Sequence, residues 1–237
     1  MSLLDSLVSY WPLNEASGNA LDAHGSLHLT ETSGTIGAAA GRISGARDFE
    51  AGDTEYFGLA DNASLSAGDI DFTIACWVNP ESVTGFQGIA SKGWQSVPDA
   101  NSEWMLFLSS GAARFLCRGS GTSPQPQASP SLTAGSWYWL MAYHDSVNNQ
   151  IGISVNNGTV ATASHSLGVN DGNREFQIGA STGINFFWDG LICEFGLWKR
   201  LLTSDERAQL YNNGNGLAYP FITGARRRRL LLCAGAA

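Results

Sequence analysis

The feature of this sequence that most constrains its fold is an apolar run near its C-terminal end, residues 191–198. The run has the length of a β-strand, is too short for a buried helix, and follows the turn signal Asp189-Gly190. In an extended strand, one face would carry Leu191, Cys193, Phe195 and Leu197, and the other would carry Ile192, Glu194 and Trp198. A strand that is apolar on both faces belongs inside a packed sheet or sandwich. The run therefore predicts a central core strand.

Glu194 is the one charged residue in this run. A carboxylate is rarely buried unless it has a partner or a metal ion. The predicted core strand is therefore also a candidate for a polar site.

The residues that follow the run predict a short helix over residues 203–214. Thr203 followed by Glu206 fits a capping box, and Gly214 is placed as a C-terminal stop. No other stretch of the sequence predicts a helix as clearly.

Composition favours strands over helices in the rest of the chain. Of 237 residues only 14% are charged, 11% are aromatic and 28 are glycine, which is typical of short strands joined by turns. About a dozen strand patterns recur at near-regular spacing, and Asn156-Asn157-Gly158 is a strong hairpin signal. We expect an all-β, two-sheet antiparallel sandwich over residues 1–222 and a separate tail over residues 223–237.

Two glycine-containing segments are predicted to be irregular. Residues 34–45, rich in Gly and Ala, are expected to form a connection without regular structure. Gly52-Asp53, between Phe49 and Tyr56, is expected to be a hairpin-like turn.

Charge is unevenly distributed along the chain. The net charge is −8, and the run Arg226, Arg227, Arg228 and Arg229 carries the only charges after Gly224, so the preceding body carries −8 − 4 = −12. An acidic body is a poor nucleic-acid binder, because phosphate contacts need clustered cations. We therefore expect the arginine run and the apolar residues after it to dock on a neighbouring protein subunit, of a capsid or of the same protein, by strand addition.

The cysteine spacing, the first ten residues and the lengths of the apolar runs argue against several classes of protein. The four cysteines, Cys76, Cys117, Cys193 and Cys233, show no metal or disulfide spacing and are expected to be free thiols. The first ten residues lack the basic stretch of a secretory signal, and no apolar run is long enough to span a membrane.

Six blocks of sequence together resemble the laminin-G-like members of the concanavalin A-like jelly-roll superfamily. In chain order they are residues 8–18 (VSYWPLNEASG), 72–80 (FTIACWVNP), 91–93 (SKG), 137–138 (WY), 177–179 (QIG) and 188–214. They follow the family order over residues 7–220, and the resemblance implies two antiparallel sheets packed face to face. It does not imply one function, since this fold hosts lectins, adhesive modules, enzymes and virion proteins.

The resemblance also implies a calcium site. Many relatives hold one Ca²⁺ between an acid in an N-terminal loop, matched here by Asp22, and an acid on the late strand, matched by Glu194. Where the family commonly has Ile-Asp-Glu, this chain has Ile192-Cys193-Glu194, and a thiol is a poor calcium ligand. The alternative is a metal-free site in which Cys193 packs in the core.

Catalysis is not expected. Sandwich glycosidases of the superfamily place carboxylates at alternate positions of one strand, and the nearest candidates are Asp48 with Glu50 and Asp53 with Glu55. Gly52 separates the two pairs, and neither lies on a convincing central strand. We interpret them as an acidic turn.

Glycan binding remains open from the sequence. The aromatic residues Trp94, Phe186 and Phe187 lie in predicted loops, where their rings could stack on sugars, and Asn101 and Asn185 could supply hydrogen bonds. The alternative is that these aromatic residues only cap the ends of the sandwich.

These patterns favour a non-catalytic structural and binding module on a particle surface, such as a phage decoration or fibre-like protein, located on a virion surface or outside the cell. A soluble carbohydrate-binding module is the alternative, and a glycoside hydrolase of the same superfamily is the third hypothesis.

Overall fold

The computed structural model describes residues 2–93, 100–119 and 125–222. In chain order, the strands are β1 (Leu7–Trp11), β2 (Thr30–Thr32), β3 (Gly37–Ala40), β4 (Gly45–Phe49), β5 (Tyr56–Leu59), β6 (Phe72–Pro80), β7 (Phe86–Lys92), β8 (Trp104–Ser109), β9 (Ala112–Cys117), β10 (Tyr138–Asp145), β11 (Gln150–Val155), β12 (Ala161–Ser164), β13 (Phe176–Ile178), β14 (Ala180–Ser181), β15 (Phe186–Phe187) and β16 (Gly190–Trp198). The helix α1 spans Ser204–Tyr211, and short 3₁₀ turns lie at Ala51–Asp53, Thr182–Ile184 and Asn212–Gly214.

The strands form two main antiparallel sheets. The eight-stranded sheet has the order β12-β11-β10-β6-β16-β4-β3, with β1 also paired to β16, and the six-stranded sheet has the order β2-β5-β13-β7-β8-β9. Strands β14 and β15 form a small hairpin of their own. The predicted all-β sandwich with one short helix near its C-terminal end is confirmed.

Strand β16 lies inside the eight-stranded sheet, as the apolar run predicts. It pairs with β6 on one side and with β1 and β4 on the other. Both of its faces are covered, since Phe195 packs between the two sheets and Cys193 packs on the opposite side of the sheet.

A β-bulge at Glu194 makes part of the predicted face assignment wrong. Glu194 has a positive φ of 56°, and the pairing with β6 shifts register between Cys193 and Gly196. An inserted residue inverts the alternation of the side chains that follow it. Leu191 and Cys193 therefore lie with the outer cluster, whereas Phe195 and Leu197 lie in the core between the sheets.

Stacked aromatic rings fill the space between the sheets. Trp11 of β1 stacks on Phe176 of β13 with 5.2 Å between ring centroids, and Phe176 meets Phe195 edge to face at 5.9 Å. All three are fully buried, and the indole N–H of Trp11 donates to the carbonyl of Leu27 at 2.7 Å. The core therefore joins strands of both sheets through a few large side chains.

The outer face of the eight-stranded sheet is covered by other parts of the chain. A second buried cluster there includes Trp77, Trp139, Trp198, Leu210 of α1 and Phe221. We call this side of the eight-stranded sheet the covered face. The indole N–H of Trp198 donates to the carbonyl of Leu3 at 2.8 Å, so the N-terminal residues also pack on this cluster.

The predicted capping box at the start of α1 is confirmed. The Thr203 hydroxyl accepts from the backbone N–H of Glu206, and the Glu206 carboxylate accepts from the backbone N–H of Thr203. The helix ends at Asn212, whose φ is 47°, rather than at Gly214. Asn tolerates this left-handed conformation and can therefore end a helix as glycine does.

The structure corrects both predictions of irregular segments. Within residues 34–45, β3 pairs with β4 at the edge of the eight-stranded sheet. The 3₁₀ turn Ala51–Asp53 connects β4 to β5 in the other sheet, so it is a crossing between sheets and not a hairpin. The hairpin signal at Asn156-Asn157 is confirmed, since both residues have positive φ values between β11 and β12.

Cys76, Cys117 and Cys193 are free thiols and buried, while Cys233 lies outside the described residues. Among the described residues, no helix is both long and apolar enough to cross a membrane.

Candidate functional site: a groove on the six-stranded sheet

The outer face of the six-stranded sheet carries an apolar floor. Along β8, Leu106 and Leu108 point into the core between the sheets, and the alternate residues Met105 and Phe107 form a separate small cluster with Leu116 of β9. Met105 pairs directly with Leu116 across the ladder. Alternation in β8 and β9 therefore places apolar side chains on the face away from the core.

The hairpin of β14 and β15 packs closely against β7 at Gly88. A Cβ atom at Gly88 would lie 2.6 Å from the backbone nitrogen of Ser181 and 2.8 Å from the carbonyl oxygen of Phe186. The hydroxyl of Ser91 also donates to the carbonyl of Ala180 at 3.1 Å. Only glycine at position 88 allows this close approach, and the hairpin forms a wall beside the apolar floor.

A groove of about 610 Å³ lies between this wall and the floor. Its lining residues are Phe86, Met105, Phe107, Leu116, Arg118, Gln125, Gly183, Ile184, Asn185 and Phe186. Its volume is in the range of small-molecule sites, and an apolar lining with a few polar groups is typical of them.

Three nearly parallel phenyl rings stand at one end of the groove. Phe186 stacks on Phe86 with ring centroids 5.2 Å apart and an interplanar angle of 9°, and Phe86 lies 6.4 Å from Phe107 at 24°. Phe86 is 55% exposed, a large exposure for a phenylalanine held in a stack. The ring is available to a ligand.

Polar groups of the groove come from Arg118, Gln125 and Asn185. Asn185 is exposed and has a φ of 55°, a conformation that asparagine tolerates at a tight turn. Arg118 is 8% exposed, and burial lowers the pKa of its guanidinium. Among the described residues that line the groove there is no carboxylate.

The structure brings two of the five predicted glycan-binding residues into the groove, Asn185 and Phe186. Phe187 pairs with Ala180 within the hairpin and does not line the groove. Asn101 lies beside Gly93 and Gly172, with its carbonyl oxygen close to both glycines. Trp94 and Arg226–Arg229 lie outside the described residues.

Sequence reasoning missed Phe86 and Phe107. Phe86 is the first residue of β7, at the end of the strand where it emerges from the loop before it. Alternation along β8 could have placed Phe107 away from the core. The sequence around Phe107 does not indicate, however, that the distant hairpin of β14 and β15 would leave a groove beside it.

Asp22, the predicted loop ligand of a calcium site, binds backbone amides in the structure. Its Oδ1 accepts from the N–H groups of Tyr10, His24 and Gly25 at 2.9–3.1 Å, and its Oδ2 accepts from that of Leu27 at 3.1 Å. Burial by itself raises the pKa of this carboxyl, but the amide donors outweigh burial and leave the pKa lowered. Asp22 therefore organises its loop as a charged acceptor.

Glu194, the predicted strand ligand, is buried on the covered face and is 6% exposed. Its Oε2 accepts a hydrogen bond of 2.5 Å from the hydroxyl of Tyr10. Burial raises the pKa of Glu194 to about 7, although the Tyr10 hydrogen bond acts in the opposite direction. This carboxyl consequently changes protonation near neutral pH.

Asp22 and Glu194 thus contact the same residue, Tyr10, one through its backbone N–H and the other through its hydroxyl. Within the described ranges, no group of three or more His, Cys, Asp or Glu side chains is placed to hold a metal ion. Cys193 packs in the apolar cluster. Calcium binding at Asp22 and Glu194 stays a prediction.

The acidic residues considered for catalysis lie outside the groove. Asp48 is in β4, which is paired on both sides, so it belongs to a strand and not to a turn as predicted. The Glu55 carboxylate accepts from the backbone N–H of Glu50 at 3.0 Å and holds the crossing between sheets. Burial, and next the charge of Asp189, raise the pKa of Asp48.

Comparison with known proteins agrees with this architecture. Residues 51–206 match a laminin-G-type family described as the concanavalin A-like lectin/glucanases superfamily. The chain belongs to this superfamily. Among curated proteins, no sequence matches the chain.

Several solved structures are similar to this chain. The binding domain of Paraclostridial Mosquitocidal Protein 1 has a TM-score of 0.72 and 17% identity, over 90% of this chain and 53% of that one. The binding domain of botulinum neurotoxin DC, in complex with SialylT, has a TM-score of 0.65 and 15% identity, over 89% of this chain and 52% of that one.

A third similar structure is domain 4 of an extracellular arabinanase from Geobacillus stearothermophilus, in complex with arabinotriose. It has a TM-score of 0.66 and 19% identity, over 85% of this chain and 96% of that one. This chain thus spans about half the length of the two toxin binding domains and nearly all of the arabinanase domain. At these identities the similarity shows the fold.

Proposed function

We propose that this protein is a non-catalytic carbohydrate-binding module, and that the groove on the six-stranded sheet holds an oligosaccharide. The single observation that carries the proposal is the row of Phe186, Phe86 and Phe107, with one ring more than half exposed at the mouth of the groove.

The groove has the chemistry that sugar binding requires. The C–H faces of pyranose rings pack on aromatic and aliphatic surfaces, and their hydroxyls require hydrogen-bonding groups at the rim of the site. Phe86 and Phe186 provide the apolar surface, and Asn185 and Gln125 provide amides that both donate and accept. The floor of Met105 and Leu116 extends the apolar surface along the sheet.

The similar structures support a binding role. The arabinanase domain is in complex with arabinotriose and the neurotoxin domain with SialylT. Two of the three similar structures are called binding domains. These ligands are properties of those proteins, and they support sugar as the ligand class here.

The placement of carboxylates supports a non-catalytic role. Glycoside hydrolysis uses a pair of carboxyl groups on either side of the scissile bond. The described lining of the groove includes none; Asp48 lies in β4, and Glu50 and Glu55 lie at the crossing from β4 to β5. A sugar in the groove therefore lacks an acid and base pair among the described residues.

Display on a virion surface stays a prediction. The tail of residues 226–237 that motivated it lies outside the described residues, and the three similar structures are toxin and arabinanase domains. Sugar binding is compatible with such display and does not depend on it.

The test is a change at Phe86. Phe86→Ala removes one ring of the stack, and we expect it to weaken oligosaccharide binding about tenfold, since such aromatic contacts contribute about 1 kcal/mol or more. Binding would be measured by calorimetry on hits from a glycan array that includes arabinotriose. Val147→Ala is the matched control, because Val147 is apolar, 78% exposed and outside the groove.

Three outcomes would contradict the proposal. The first is an array on which the wild-type protein binds no saccharide. The second is a Phe86→Ala variant that binds as tightly as the Val147→Ala control. The third is the release of shorter sugars from bound oligosaccharides, which would show that the protein is an enzyme.

A further inference from the structure

Two buried histidines contact each other outside the groove. His144 of β10 is 0% exposed and His165, which follows β12, is 2% exposed. Their ring centroids are 5.7 Å apart and their planes lie at 79°. The Nδ1 of His144 donates to the carbonyl of Ile70 at 2.8 Å. The Nε2 of His165 donates to the carbonyl of Gly168 at 2.9 Å.

These two hydrogen bonds determine which nitrogen of each ring carries the hydrogen. A carbonyl only accepts, so the nitrogen that bonds to it is the N–H, and the other nitrogen of a neutral imidazole is a lone-pair acceptor. Those other nitrogens are His144 Nε2 and His165 Nδ1, and neither has a hydrogen-bond partner among the described residues. The packing therefore suits a neutral ring at His165.

Protonation of His165 would add a positive charge and a second N–H to a buried ring. A buried charged donor without an acceptor is unfavourable. Burial lowers the pKa of His165 and the charge of His144 acts in the same direction, whereas the Gly168 hydrogen bond and the charge of Asp69 act in the opposite one. Acidification below the ordinary pKa of 6.5 therefore favours conformations in which His165 reaches solvent.

The acids around the two histidines do not remove this penalty. The Oδ1 of Asp69, in the loop before β6, lies 3.8 Å from His144 Nε2, but the Asp69 side chain is 64% exposed and solvent screens its charge. Asp71 and Asp145 already accept hydrogen bonds from the turn that follows β10. Asp171, in the loop before β13, is exposed.

The segment after β12 also supports the end of the groove. Residues 165–170, which we call the latch, pack on the chain just after β9. The N–H of Asn170 donates to the carbonyl of Arg118 at 2.8 Å, and a Cβ atom at Gly119 would lie 2.4 Å from the carbonyl oxygen of Gly168. Arg118 lines the groove, so the latch holds the backbone at that end.

We propose that the latch is an acid-sensitive device, which is closed when His165 is neutral and opens when His165 takes up a proton. Opening breaks the contacts of the latch with Arg118 and Gly119, so the end of the groove loosens in acid. The latch itself does not depend on what the groove binds. Its consequence for a ligand, weaker retention at acidic pH, rests on the proposed function.

The first experiment measures amide hydrogen exchange in the wild-type protein by NMR at about pH 7.5 and about pH 5.5. The N–H groups of His165 and Asn170 report on the latch, since they donate to the carbonyls of Asn149 and Arg118. Their protection, corrected for the intrinsic pH dependence of exchange, should fall about threefold or more at the lower pH. The reason is that the opening equilibrium changes by up to about tenfold per pH unit between the folded and ordinary pKa of a histidine.

The second experiment assigns the acid sensitivity to one residue. His165→Gln keeps an N–H that can donate to the carbonyl of Gly168 but has no group that titrates near neutral pH, so the protection of Asn170 should stay within about twofold between the two pH values. His24→Gln is the matched control, because His24 is an exposed histidine in another loop. This control should show the same fall as the wild type.

The third experiment follows the ring nitrogens of His165 by NMR in the wild-type protein. We expect Nδ1 to be unprotonated at neutral pH and the titration midpoint to lie below the ordinary value of 6.5. Asp69→Asn should lower this midpoint further, because it removes the charge that favours the protonated ring. A histidine that only fills space would not respond to Asp69 in this direction.

The outcomes separate the latch from the proposed function. Equal protection of Asn170 at the two pH values overturns the latch, and so does a fall that persists in His165→Gln. If that variant does not fold, the wild-type titration decides, and a midpoint at or above 6.5 contradicts the proposal. A latch that fails these tests leaves sugar binding intact, and a protein that binds no saccharide on the array leaves the latch intact.

Discussion

Over the eight-stranded sheet, Trp77, Trp139 and Trp198 are each at most 3% exposed, because α1 and residues near both ends of the described chain pack on them. Over the six-stranded sheet, the hairpin of β14 and β15 covers only part of the face and leaves Phe86 55% exposed. Both faces carry aromatic side chains, but those on the eight-stranded sheet are buried and one on the six-stranded sheet is exposed.

The difference teaches that aromatic residues on a sheet do not by themselves mark a binding site. What distinguishes the two faces is the chain segment packed on each. A tryptophan under a helix contributes to the stability of the fold, and a phenylalanine beside a partial cover remains available to a ligand. Substitutions on the two faces should therefore separate stability from binding.

The largest expected effect is at Trp198. Trp198→Ala removes a fully buried ring and leaves the carbonyl of Leu3 without its indole donor, so we expect a loss of about 3–5 kcal/mol in the free energy of unfolding. Urea denaturation measures it beside Phe86→Ala, which should lose less than about 1 kcal/mol because its ring is half exposed. Equal losses at the two positions would remove the distinction between the faces.

A second effect concerns pH and Glu194 on the covered face. Burial raises its pKa in the folded protein to about 7 from an ordinary value of 4.5, so the folded state binds more protons than the unfolded state between these pH values. The resulting stabilisation is fully present below about pH 4.5 and is lost as the pH rises through 7, and it amounts to about 3 kcal/mol. Glu194→Gln should lack this dependence.

The measurement for Glu194 is the difference in unfolding free energy between wild type and Glu194→Gln across pH 4–8, a range set by the two pKa values. The difference is needed because burial lowers the pKa of His165, which makes the folded state less stable on acidification. His165 is present in both proteins and cancels. A difference that does not vary with pH would show that the pKa of Glu194 is not raised in the folded protein.

The smallest of the three effects is at Gly88, beneath the hairpin of the open face. Gly88→Ala places a methyl group against the backbone of Ser181 and Phe186, so the hairpin must move, at a cost of about 1–3 kcal/mol. We expect weaker oligosaccharide binding as well, since the hairpin carries Asn185 and Phe186. Gly52→Ala is the control, because a Cβ there meets nothing within 4 Å, and a control that weakens binding equally would contradict a specific role for the hairpin.

Local signals in the sequence predicted the elements that depend on neighbours along the chain. The capping box at Thr203 and Glu206 and the hairpin turn at Asn156-Asn157 are each defined within four residues, and both are confirmed. The central position of β16 follows from a run that is apolar on both faces. Such features are set by hydrogen bonds and hydrophobic patterning inside one segment.

Features that depend on distant contacts could not be predicted. The bulge at Glu194 adds no signal to the apolar pattern, so the strict alternation assigned Phe195 to the wrong face. Phe86 and Phe186 are a hundred positions apart and meet only because β7 packs against a distant hairpin. The groove is therefore a product of tertiary packing, and the sequence predicted only ligand-binding residues on its hairpin side.

The covered face also fixes which way the groove points. Leu3 and Phe221, near the two ends of the described chain, both pack on the outer side of the eight-stranded sheet, and the groove opens on the outer side of the other sheet. A domain joined to the sandwich at either of these positions is attached on the side opposite the groove. A tether or fusion at either end would thus leave the groove facing away from the attached partner.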